Sequence, residues 1–157
     1  MESCRFWGLA VVVIASVCPG CRPAPSNPSS DTTVHSHHPP HGGTTVELGK
    51  EEYHLELVHE SGTSQMTAYI LDGEMEKFIR VPLGEFLIHI VGQSGETLRF
   101  QAVGNPATGE KIGDSSEFIA SSSWLTNHGL FDGIVVEIKI GLKTYQGVTF
   151  SYPKGNE

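Results

Sequence analysis

With 157 residues, 18 Asp and Glu against 10 Lys and Arg, the chain carries a formal charge of −8. Binding to nucleic acid requires a basic face that displaces counterions. From Thr44 onward acids are twice as numerous as bases and no Lys/Arg cluster occurs anywhere, so nucleic acid is discounted as a partner.

The chain opens on an apolar run, Phe6 to Val17, that stops in Cys18-Pro19-Gly20-Cys21. A spanning helix needs roughly 20 apolar residues to cross a ~30 Å hydrocarbon core, so this run is too short to span. Its length suits the apolar region of a secretory signal, with Arg5 as the positive charge ahead of it. Gly20-Cys21 resembles the lipobox of bacterial lipoproteins, where a small residue precedes a cysteine that is lipidated and becomes the mature N-terminus. The resemblance implies lipid attachment at Cys21 and a location in the cell envelope, at the outer membrane or its periplasmic face. Two other readings stay open: a plain cleaved signal, and Cys18 with Cys21 as a CxxC redox or metal pair. No cysteine follows Cys21, so an anchored chain would fold without disulfides.

Residues 1–20 therefore read as a signal and 21–43 as a linker. From Arg22 to Gly43 the composition is Pro, Ser, Thr, Asn, Gly and His, with Val34 the one large aliphatic residue. Such a segment buries too little apolar surface to offset the entropy of ordering, which predicts a disordered, partly polyproline stalk. His35, His37, His38 and His41 crowd into it, half of the chain's eight histidines. Imidazole is a common ligand for zinc, copper and nickel, so these four are candidate metal ligands, with His54 as an accessory. Read without a metal, they are a polar stalk.

Beyond Gly43 short apolar or alternating runs are separated by turn residues, which predicts strands over Thr44 to Leu48, Tyr53 to His59 and Gln65 to Leu71. Further strands are expected over Lys77 to Val81, Glu85 to Val91, Thr97 to Val103, Glu117 to Ala120, Ile134 to Ile140 and Lys143 to Phe150. Ser121 to Asn127 reads as a helical turn with a Ser cap, burying Trp124 and Leu125. In the second strand Tyr53, Leu55 and Leu57 share one face, leaving His54 and Glu56 on the other, solvated one. The pattern predicts an all-β, antiparallel domain over 44–153 with a short tail at 154–157. An immunoglobulin-like β-sandwich is the first expectation and a small barrel the second.

The run from His35 to Leu57, with Gly42-Gly43 and Val46-Glu47-Leu48-Gly49, and the ending Lys143-Thr144-Tyr145-Gln146-Gly147 are similar to a group of bacterial envelope proteins that join a His-rich leader to a β domain. That resemblance implies no reaction.

No catalytic constellation emerges from the rest. Gly92-Gln93-Ser94-Gly95-Glu96 almost spells a nucleophile elbow, but it lies between two strands, where a hairpin turn is expected instead. Asp72, Asp114 and Asp132 stand beside Gly or Ser in turns, as residues that bond their own backbone do. His89 reads as a bonded core or edge histidine and His128 as a cation at a helix C-terminus. The expected protein is a non-catalytic, lipid-anchored envelope protein that binds a transition-metal ion through its stalk. The alternative is an adhesion or scaffold module whose β domain binds another envelope protein.

Overall fold

The computed structural model describes residues 38–93 and 95–156. Eight strands are present: β1 (Thr44–Leu48), β2 (Tyr53–His59), β3 (Gln65–Asp72), β4 (Glu85–Ile90), β5 (Thr97–Ala102), β6 (Glu117–Ser121), β7 (Phe131–Ile140) and β8 (Lys143–Tyr152). All pair antiparallel in one sheet ordered β1-β2-β3-β6-β5-β4-β7-β8. The chain climbs β1 to β3, crosses to β4, returns through β5 and β6 to lie beside β3, then crosses again to β7.

The all-β, antiparallel expectation is met. The ladder does not divide into the two sheets of an immunoglobulin-like sandwich, however; the single sheet curls almost into a barrel. Alternation supplies the apolar face that the strands turn inward, and the curl gathers those faces into one core. Val46, Leu48, Leu55, Leu57, Ile70, Ile88, Leu98, Phe100 and Phe118 join one fully buried core. Phe86 stacks on Phe100 at 4.9 Å and meets Phe118 edge-on at 5.2 Å.

Three local expectations change. Lys77 to Val81 forms no strand, only isolated bridges from Phe78 to Leu71 and from Val81 to Ser115. In β7 the inward residues are Gly133, Val135, Ile138 and Ile140, so the alternation breaks at Val136 instead of running cleanly from Ile134. Gly147, opposite Val136 in β8, has φ +64, a value that glycine reaches without steric cost, and it lets both strands turn over together. The helical turn is a 3-10 helix over Ser123–Asn127, capped by Ser122 and closed by His128, with Leu125 fully buried.

The sheet's two end strands, β1 and β8, meet without a ladder. Side chains join them instead. Asn156 accepts from the Glu47 amide at 2.7 Å and donates to the Glu47 carbonyl at 3.2 Å, standing in for a strand neighbour. At the other end Glu52 takes hydrogen bonds from Lys143 and from the Tyr145 hydroxyl, which hold its carboxyl below the usual range against a smaller opposing effect of burial. Burial and then Glu52 push the Tyr145 hydroxyl up in turn.

Candidate functional site

The folded unit begins ahead of β1. Glu56, on the outward face of β2, is fully buried, because the chain before Thr44 folds over it. Its Oε1 accepts the His41 amide at 2.7 Å and the Gly43 amide at 2.9 Å, and the His41 ring donates from Nδ1 to Oε2 at 2.9 Å. A side chain at position 43 would come within 2.6 Å of the Leu57 carbonyl oxygen, so glycine allows this close approach.

Thus docked, His41 stacks on Tyr69 of β3 at 4.0 Å between centroids and stands 5.8 Å from Phe78. Tyr69 and Phe78 meet at 5.9 Å and 64°. These rings form one end of a groove of about 560 Å³ on the outside of the sheet. Its walls are the two long excursions of the chain, residues 73–84 between β3 and β4 and residues 103–116 between β5 and β6.

The far wall is a charged knot. Arg80 donates to the Thr108 carbonyl and lies 3.9 Å from Glu110 and 3.7 Å from Asp114. Glu110, its side chain 8% exposed, accepts from the Ser116 amide at 2.9 Å, from the Ser116 hydroxyl at 2.6 Å and from Thr108 at 2.6 Å. Burial favours the neutral acid, but the Ser116 and Thr108 bonds and then Arg80 outweigh it, so the Glu110 carboxyl sits below its usual range. Opposite, burial raises the Tyr69 hydroxyl, with help from Glu117 and then Glu56. Glu76, Lys77 and Glu117 line the groove and, among the described residues, their side chains hold no ion pair or hydrogen bond.

Of the residues expected from sequence to bind metal, only His38, His41 and His54 are among the described residues, and they form no group that could hold an ion. Cys21, His35 and His37 lie outside the described residues. His38 is exposed. His41 is engaged by Glu56 and Tyr69. His54, expected on a solvated face, is fully buried, with Nδ1 3.3 Å from the Asp72 carbonyl oxygen. Among the described residues no group of three or more His, Cys, Asp or Glu could hold an ion. His89 is exposed and bonded to Thr97 at 2.8 Å, while His128 stacks on Trp124 and bonds its carbonyl oxygen at 2.6 Å. The strands on either side of Gly92, β4 and β5, pair antiparallel, as expected for a hairpin.

Apart from His41, which was expected as a metal ligand, the groove residues were not singled out by sequence reasoning. They come from separate stretches that no spacing connects, and Phe78 and Arg80 read only as part of a short strand. Comparison with protein-family models, with curated proteins and with solved structures found no match.

Proposed function

We propose that this is an exported, lipid-anchored envelope protein whose barrel is a non-catalytic binding module, engaging a partner protein through the groove between residues 73–84 and 103–116. The observation that carries the reading is the exposed aromatic rim: Phe78 is 47% exposed although its ring packs against Tyr69, and a large apolar side chain held at the mouth of a groove is a common anchor for a partner. The groove's most buried acid supports binding over chemistry, since Glu110 is occupied by Ser116, Thr108 and Arg80 and is held ionised, unlike a proton donor. The signal-like run and Gly20-Cys21 support export and anchoring.

Photo-crosslinking in intact cells tests the reading. A photoreactive residue at position 78 should capture a discrete envelope partner, and one at position 139, exposed on β7, should not. Equal labelling from both positions would overturn it. The mass of the mature N-terminus tests the anchor separately, with acyl mass on Cys21 expected.

A further inference from the structure

We propose that the groove receives a cationic side chain, an arginine or lysine carried on an extended segment of the partner protein; this deepens the binding reading above and rests on it.

Three observations converge on a cation. The Phe78 ring, held 5.9 Å from Tyr69 at 64° and about half exposed, offers π surface at the mouth. A guanidinium or ammonium within about 6 Å of such a ring is attracted by its quadrupole. Of the three charged liners without an ion pair among the described residues, two, Glu76 and Glu117, are acids and one, Lys77, is a base. The groove's other base, Arg80, is already bonded to Thr108 and flanked by Glu110 and Asp114. An anion would find only Lys77, since Arg80 is held beside both carboxylates, whereas a cation meets two acids, Glu76 and Glu117, the latter paired in register with Tyr69. The chain's charge of −8 steers basic partners toward it in the same sense.

Size and openness favour a side chain with its backbone. A groove of about 560 Å³ falls in the usual range for a ligand site. Its exposed rim at Phe78 leaves room for a chain to enter and leave, and the Arg80 knot closes the other end.

The test uses the full-length chain and a fluorescein-labelled peptide, Gly-Ser-Arg-Ser-Gly-Arg-Gly, read by fluorescence anisotropy at low salt. Its counterpart replaces both arginines with citrulline, which keeps the shape and removes the charge. The arginine peptide should bind saturably and about tenfold more tightly than the citrulline peptide, as expected when a cation-π contact and a carboxylate act together. Phe78→Ala and Glu117→Gln, both at the groove and outside the core, should each weaken it about fivefold, while Lys139→Ala changes nothing. Equal binding of the two peptides, or affinity untouched by both groove variants, overturns the proposal. So does binding of spermidine with no binding of the peptide, which would make the groove a small-molecule site. If position 78 still captures a partner in cells while the arginine peptide fails, the cationic occupant falls and the binding module stands. If the arginine peptide binds through Phe78 and Glu117 while position 78 captures nothing in cells, the cationic preference holds and the partner-protein reading falls.

Discussion

Glu56 and His41 are joined twice, through the backbone amide at 2.7 Å and through the imidazole at 2.9 Å, and the carboxylate is fully buried beneath the contact. Residues 41–43, ahead of the first strand, are therefore part of the fold. Glu56→Ala leaves the His41 and Gly43 amides without their acceptor, at a cost of about 2–4 kcal/mol. His41→Ala keeps Glu56 bonded to two amides and should cost about 1–2 kcal/mol. Urea unfolding of both variants checks the order, and Glu56→Ala should also weaken binding in the groove, because it frees the ring that stacks on Tyr69.

Glu110 ties stability to acidity. Its folded carboxyl lies below the unfolded value of about 4.3, so its contribution is complete above that pH and is lost as pH falls through the folded value. The urea midpoint of the native chain should drop on acidification from about pH 5 to about pH 3, and Glu110→Gln should be less stable at the upper end with a shallower drop. Parallel curves for the two proteins would show that Glu110 does not couple to the fold.

Asn156 closes the β1 and β8 edges by bonding both polar groups of Glu47. Asn156→Ala should lower stability by about 1–2 kcal/mol. Hydrogen exchange at the Glu47 amide should rise more than exchange in β5, which has neighbours on both sides.

Gly133 lies where Phe150 folds over the sheet: an added Cβ would sit 2.5 Å from the Phe150 Cζ and 3.2 Å from an Ile88 methyl. Gly133→Ala should cost about 1–3 kcal/mol, because the core is already full, and thermal unfolding measures it. Gly109→Ala, with open space around it but φ +75, should be strained by its backbone alone.

Any metal role now rests on His35, His37 and His38, since Glu56 holds His41 and the interior holds His54. Titration with Cu(II), Zn(II) and Ni(II) should lose its saturable phase when those three become Ser and keep it in His54→Gln. Absence of saturable binding at micromolar metal in the native chain would end that role.

The strands were largely legible because each needs only its own neighbours. The β1 and β2 bounds follow from alternation and from Gly49, and the 3-10 helix from Ser122, Trp124 and Leu125. What alternation cannot carry is the identity of the opposing surface: inward residues look the same whether a second sheet faces them or one sheet closes on itself. His54 and Glu56 read as solvated because their cover is supplied by other stretches of the chain. The failed strand at Lys77 to Val81 has a related cause. Phe78 packs on the outside of the sheet against Tyr69 while Val81 joins the core, so the run has the pattern of a half-buried strand with only isolated bridges to its neighbours. The groove was illegible because Tyr69, Phe78, Glu110 and Glu117 meet only after the chain crosses to β4 and returns through β5 to β6.

The join between β1 and β8 has a mechanical consequence. Tension applied to the segment just ahead of β1 reaches the sheet through the contact of His41 with Glu56, and the next strand in line is an end strand with a single ladder. Such a strand peels one rung at a time, whereas a strand flanked on both sides must shear all its rungs together. Pulling on that segment therefore loads the Glu56 clip and then the Asn156 rivet, so the fold should yield gradually under tension from this side and resist abruptly when gripped through β5.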